Sequence, residues 1–414
     1  MTNSDIETRF NELAKKVPIT DTHNDFPYLL RSQLHYEITT TPGFNFDSLL
    51  TTHTDLVKMK EGKIGLQFFS CWIECKDDDY LYQNFNKTNN IVRDTLEQID
   101  VVKRLVNEHS SNFKFVHTAD EALDNFVKTQ GKQISIALGV EGLHQVDLSL
   151  AVVRQYYDLG VRYITLTHNC DNPFATAASS VAGGLEDKGL TKYGADCVKE
   201  MNRLGMMVDL SHVSYKTMID VLKITEAPVI YSHSSVYTLS PHLRNVQDDV
   251  LELIKENGGV VCINFFPFFL KKEGQEECDV TIDNAVEHCK YIIDKIGWDH
   301  VGFGSDFDGI PCGPKGLEDV SKYPDLVKKI WEVTDASETD IAKAMGMNVL
   351  RVWKQCEMVS DRLNNKMKPV ESNWEGRIWE FYEYTNEFPE IFPGSRNLKK
   401  NVFKDTQKLV GNED

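Results

Sequence analysis

Along this chain, compact runs rich in Val, Ile, Phe and Met alternate with longer stretches whose apolar residues recur at helical spacing. The runs are Pro18–His23, Ile64–Trp72, Ile134–Val140, Arg162–Thr167, Met206–Ser211, Pro228–Ser232, Gly259–Phe265 and His300–Ser305. Apolar runs without a polar alternation suit strands buried on both faces. The stretches between them, such as Thr88–Glu108, Asp187–Leu204, Tyr215–Ile224 and Ile282–Ile296, predict helices. Strand and helix in alternation imply right-handed crossovers and a parallel sheet. Eight such strands predict an α/β chain closed into a (β/α)8 barrel, with a doubly wound open sheet as the alternative.

Beyond the eighth strand the pattern turns helical. Ser337 with Asp340 resembles a helix start leading into IAKAMGMNVLRVW. Segments 359–376 and 388–414 are polar and read as connection and tail. The expected division is an N-terminal helix over 1–17, a barrel over 18–358, and a C-terminal helical extension and tail over 359–414.

Composition narrows the partners. Acidic residues outnumber basic ones 63 to 45, a formal net charge of −18. Such a surface repels nucleic-acid phosphates and anionic lipid. The first residues mix charge with scattered apolar positions, unlike a signal peptide, and no run approaches the length of a membrane span. The last residues lack the hydrophobic tail of a lipid anchor. Nine cysteines without C-x-x-C spacing fit reduced thiols better than a disulfide framework. A cytoplasmic location is the expectation.

Chemistry collects where the predicted strands end. Of twelve histidines, His23, His168, His212 and His233 fall at C-terminal strand ends, as do Asp25, Glu141 and Asp306. In a barrel those ends converge on one face, where active sites are built. In D-T-H-N-D, His23 and Asp25 are two apart, so in extended backbone both can reach one ion. Taken alone, that motif reads more readily as a polar loop with an N-capping Asp. Glu141, in G-V-E-G, can bridge two ions, or be a solvent-facing loop residue. His144 falls outside the set. His212 in D-L-S-H and His233 in Y-S-H-S-S suit zinc or a similar divalent ion, although a lone histidine is more often a satisfied core residue. In G-S-D-F-D-G, Asp306 is preferred over Asp308 as the carboxylate facing the mouth, being nearer the strand end. His35, His53, His109, His117, His242, His288 and His300 read as bland, and no cysteine has a setting that favours a nucleophile.

The ordered set DTHND with FP, GVEG, LTHN with NPFA, DLSH, SHSS, LRNVQDDVL and GSDFDG resembles the membrane (renal) dipeptidases, from about Ile19 to Trp353. The resemblance implies a TIM barrel of the metal-dependent hydrolase type and two zinc ions per chain. One would be held by His23 and Asp25, the other by His212 and His233, with Glu141 bridging. It implies that His168 binds substrate and stabilises the oxyanion, and that Arg244, in L-R-N, clamps the free carboxylate. Asp306 would contact the bridging water and the substrate's amino group. A zinc-bridging hydroxide would then cleave small dipeptides, and the grip on both termini would exclude longer peptides.

Related members form a disulfide where Cys75 and Cys170 sit. Of a second bridge, Cys278 lies near one position while Ser240 occupies its partner. The resemblance also allows a homodimer. N-F-F-P-F-F-L after the seventh strand is more apolar than expected and bears on substrate preference. The alternatives are a binuclear amidohydrolase acting on another amide or a lactone, which would use the same ligands, and a non-catalytic binding protein, which predicts damaged ones.

Overall fold

The structure, a computed structural model, describes residues 3–75 and 89–377 and the short strands 379–382 and 401–404. Nine strands form the main sheet: β1 (Ile19–Asn24), β2 (Ile64–Cys71), β3 (Phe113–Phe115), β4 (Ile134–Glu141), β5 (Val161–Thr165), β6 (Met207–Asp209), β7 (Ile230–Tyr231), β8 (Val260–Ile263) and β9 (Val301–Phe303). All pair in parallel, in the order β1-β2-β4-β5-β6-β7-β8-β9, and β3 adds to the first half of β4.

The circle closes between β9 and β1. Asn24 bridges Phe307 in parallel. The Asp25 amide donates to the Phe307 carbonyl at 2.9 Å and the Asp306 amide to the His23 carbonyl at 3.1 Å. The eight predicted strands are the eight of this nearly closed barrel, and the open-sheet alternative falls away. Strand β3 was not predicted. Its Phe-Lys-Phe is too short, and too exposed beyond its first residue, to leave an apolar run.

Every residue of β1, β2 and β4 is buried; β2 and β4 accordingly carry apolar residues on both faces, whereas β1 buries the polar run Thr20–Asn24. Leu66, Phe68, Ala137, Tyr163, Met207, Ile230 and Val260 fill the bore as one cluster with Val349, Trp353 and Cys356. Those last three belong to helix Asn348–Asn364, which closes the N-terminal end of the barrel. Its polar side chains tie it there. The Cys356 thiol donates to the Pro228 carbonyl, the Asn348 amide to Val301, and the Ser360 hydroxyl to Arg203.

Helices Tyr215–Ile224 and Ile282–Ile296 span the predicted residues. Two others start later than predicted, at Ile91 and Lys192. In the second case Asp187 accepts from the Ser214 hydroxyl and the Lys216 amide, so it holds a loop instead of opening the helix. Ser337 and Asp340 form a capping box, leading through a π-helical turn at Lys343–Met347 into Asn348–Asn364. That helix runs across the expected 358/359 boundary. Near the N-terminus, Asn3–Leu13 is helical and buries Ile6, Phe10 and Leu13.

Strands β10 (Trp379–Tyr382) and β11 (Asn401–Lys404) pair within the expected tail. The rest of 388–414 lies outside the described residues. No described helix is long and apolar enough to cross a membrane.

Candidate metal centre and substrate cavity

The C-terminal strand ends surround a cavity of about 740 Å³. Backbone geometry aims the polar groups into it. His212, Asp306 and Asp308 adopt φ of 64°, 64° and 66°, a left-handed conformation that folds the chain sharply at the strand exits. Each costs on the order of 1–3 kcal/mol, offset by the surrounding structure. Asp25 occupies the N-cap position of helix Phe26–Leu34, yet its side chain makes no capping bond. It turns instead to His23, with Oδ2 3.3 Å from the imidazole Nε2. Gly309 makes room for this: a Cβ there would sit 2.3 Å from Asp25 Oδ2.

Glu141 is the hub. Its Oε1 lies 2.9 Å from His212 Nε2, 3.2 Å from His233 Nε2, 3.6 Å from His23 Nε2 and 4.0 Å from His168 Nε2. Asp306 joins His23 and Asp25 in a second group of donor atoms.

Hydrogen bonds behind the cluster set the protonation of the imidazoles. The Ser232 hydroxyl donates to Asp209 at 2.6 Å, so its oxygen is free to accept from His233 Nδ1 at 2.9 Å. Asn169 Oδ1 accepts from His212 Nδ1 at 3.1 Å. Both rings therefore carry their proton on Nδ1 and turn an Nε2 lone pair inward. The two Nε2 atoms lie 3.0 Å apart. His23 Nδ1 is engaged by the Tyr163 hydroxyl at 2.9 Å, leaving its Nε2 toward the carboxylates.

Lone pairs facing lone pairs, with a carboxylate oxygen between, repel unless a cation joins them. Two nitrogen or oxygen donors on one tetrahedral zinc ion are about 3.4 Å apart, close to the spacings here. His23 Nε2 and Asp25 Oδ1 are buried without a hydrogen bond. This donor set fits divalent metal.

The electrostatics carry the same strain. Burial opposes charge on His23, but Asp25, Glu141 and Asp306 outweigh it and push its pKa up to about 10. Burial, with repulsion from Asp25, raises Asp306 to about 7. Burial also raises Glu141 and holds His168, His212 and His233 below the usual imidazole range.

Arg244 stands across the cavity with all three guanidinium nitrogens buried and without a hydrogen-bond partner among the described residues. Burial lowers its pKa to about 10, against the pull of Asp306 and Glu141. A buried, unpaired cation is costly, so the site is complementary to an anion. His168 packs edge-on against Trp72, with ring centroids 5.1 Å apart. Asp306 Oδ2 accepts from Asn264 at 2.9 Å, whereas Asp308 Oδ1 accepts from the His53 amide at 2.7 Å.

The structure thus brings all eight singled-out residues to one site. Some partners went unread. Asp21 and Asp209 lie two and three residues before His23 and His212, within motifs already noted, and act as buried acceptors behind them. The Ser305 hydroxyl donates to Asp21 at 2.7 Å, and the Thr165 hydroxyl to Asp209 at 2.6 Å. An aspartate two or three residues before the histidine in each motif was the missed signal. Two histidines taken as bland are not: His53 holds Asp308, and His242 lines the cavity against Phe269, centroids 4.8 Å apart. His144 is bonded away from the cluster, to the Ile73 carbonyl at 2.7 Å.

The expectation of reduced thiols is corrected at one pair. Cys75 and Cys170, on the loops leaving β2 and β5, are disulfide-bonded beside the cavity, while the other seven cysteines are free.

Comparison with known proteins agrees with this geometry. The membrane dipeptidase family, peptidase family M19, matches residues 7–367. An uncharacterized dipeptidase of Schizosaccharomyces pombe is 61% identical over 405 residues, covering 97% of this chain and 96% of its own length. A second dipeptidase from that yeast is 44% identical, covering 82% and 81%. A metallopeptidase from Rhodobacter sphaeroides, solved with a phosphinate mimic of the dipeptide L-Ala-D-Ala, is 25% identical with a TM-score of 0.71, covering 82% of this chain and 99% of that one. With a family match over most of its length and a relative of this identity, the chain belongs to the membrane dipeptidase family, M19.

Proposed function

We propose that this protein is a metal-dependent dipeptidase that holds two zinc ions and cleaves free dipeptides. His23 and Asp25 would hold one ion, His212 and His233 the other, with Glu141 shared between them. The observation that carries this reading is the inward set of Nε2 lone pairs gathered around one buried carboxylate, in the same cavity as an unpaired Arg244. When bound, two zinc ions supply Lewis acidity and an activated water near neutral pH.

The chain's own residues account for binding and proton handling. The Arg244 guanidinium grips the substrate's terminal carboxylate with paired N–H donors. His168, kept from protonation chiefly by burial, offers an N–H to the oxygen of the scissile carbonyl as charge develops there. Asp306, beside His23 and Asp25, faces the substrate's ammonium group and takes up a proton at its carboxylate for the departing amine. Trp72, against His168, excludes water from one wall.

Chelator treatment, zinc add-back and metal counting test the centre. A panel of dipeptides and their C-terminal amides tests the substrate. The expected result is cleavage that chelator abolishes and zinc restores, about two ions per chain, and loss of turnover on amidation. Two ions without cleavage of any dipeptide would point to another amide or lactone, and no bound metal would end the reading.

A further inference from the structure

Between Arg244 and Asp306 the cavity wall is aromatic. Phe266, Phe268 and Phe269, on and just before the short helix Pro267–Leu270, all line it and are partly exposed. Their centroids lie 5.1–6.0 Å apart, and the His242 ring adds to them at 4.8 and 5.2 Å. The wall is pinned at both ends. The Phe266 amide donates to Asn264 Oδ1 at 2.5 Å, and Asn245 donates to the Phe269 carbonyl at 2.9 Å. Partly exposed aromatic rings in a concave site mark the place of an apolar ligand group. The backbone that carries these rings is fixed already, so a side chain laid against them need not order the segment itself.

The wall's position says which substrate residue it serves. The Arg244 guanidinium carbon lies 5.3 Å from the Phe269 ring centre, and the Arg244 amide donates to His242 Nδ1 at 3.1 Å. Clamp and wall are therefore one unit. A residue whose carboxylate is gripped by Arg244 has its Cα one bond from that carboxylate, so its side chain reaches the Phe269–His242–Phe268 surface. Lys271, with Nζ 4.7 Å from the Phe268 ring centre, already faces Glu277 at 3.9 Å, so an acidic side chain would gain little for the water it gave up.

We infer that the carboxyl-terminal residue of the substrate is large and apolar, aromatic or long aliphatic, and that Phe268 and Phe269 select it. This rests on the dipeptidase reading above. Phe268 and Phe269 stand at the Arg244 end of the wall, away from the ammonium site at Asp306 that anchors the amino-terminal residue.

The test is the kcat/KM of the metal-loaded protein on Gly-Phe, Gly-Leu, Gly-Gly, Gly-Asp and Phe-Gly. Gly-Phe and Gly-Leu should exceed Gly-Gly by about tenfold or more, Gly-Asp should fall below Gly-Gly, and Gly-Phe should exceed Phe-Gly. Because this panel needs only the native chain, misfolding of a variant cannot hide the answer. Phe269→Ala and Phe268→Ala should each shrink the Gly-Phe to Gly-Gly ratio, chiefly through a higher KM for Gly-Phe, and Phe269→Leu should restore most of it. Equal rates across the panel, preference for Gly-Asp, or a ratio untouched by both alanine variants would overturn the inference and leave the dipeptidase reading standing. A metal-loaded protein that cleaves none of the five would overturn both.

Discussion

At the N-terminal ends of the barrel strands, Val349, Trp353 and Cys356 seal the bore with apolar surface. At the C-terminal ends, His23, Glu141 and His233 are buried to nearly the same degree. One end gains stability from burial at about 25 cal/mol per Å². The other loses it, because charged and lone-pair groups are held close together away from water. Burial alone therefore does not mark a core. What distinguishes the ends is whether neighbouring buried charges and lone pairs suit one another without a further ligand, since the floor too holds a lone unpartnered group, Trp353 Nε1. At the mouth they do not, and that mismatch is the functional signal.

The sharpest way to break this contrast is to remove the hub. In Glu141→Gln, a neutral amide replaces the carboxylate that four imidazoles approach. Dipeptide turnover should fall by about 10³ or more, the scale seen when one member of a catalytic unit is lost. The metal-free variant should melt no lower than metal-free wild type, since one buried charge is gone. The rise in melting temperature that zinc gives the wild type should largely vanish. A variant that keeps this zinc-dependent rise would show that Glu141 is not shared between ions.

At the opposite end, Trp353→Ala should cost about 3–5 kcal/mol of unfolding free energy, read from denaturant titration. The ring packs against Phe68, centroids 5.4 Å apart, and against the floor of the bore. Metal content and kcat/KM of the folded fraction should stay within a few-fold of wild type. Loss of metal from protein that is still folded would mean that floor and mouth are coupled, and the division drawn here would fail.

Much of this was legible in the sequence because barrel burial leaves a strong imprint. Strands covered on both faces, such as Ile64–Cys71, read as runs rich in apolar residues without polar alternation, and the histidines and carboxylates just beyond such strands stood out. Strand β3 left no such imprint, having only one buried residue. The site's ligands could be named from order and spacing, but their support could not. Tyr163 reaches His23 across 140 residues of sequence, and Asp209 reaches Ser232 across 23. Such partners are set by strand neighbourhood, which local pattern does not encode. The Phe266–Phe269 segment was visible as unusually apolar, yet only the fold places it beside Arg244.

A finer test asks how far the mismatch at the mouth is held in place by groups behind it. Asp209 accepts four hydrogen bonds, from the Ser232 hydroxyl and amide, the Thr165 hydroxyl and the Ser211 amide. Through Ser232 it keeps the proton of His233 on Nδ1 and its lone pair toward Glu141. Asp209→Asn offers one good acceptor oxygen in place of two and sets an NH₂ group against at least one hydroxyl. The Ser232 hydroxyl is then no longer bound to point away from His233, and the favoured tautomer of the ring weakens. Groups in this supporting position typically contribute 10–100-fold in metal affinity, so zinc titration should show a loss in that range while turnover at saturating zinc recovers substantially. An unchanged affinity would mean that His233 is held by packing alone. A turnover loss that zinc cannot rescue would place Asp209 in the chemistry itself, beyond the positioning role its hydrogen bonds describe.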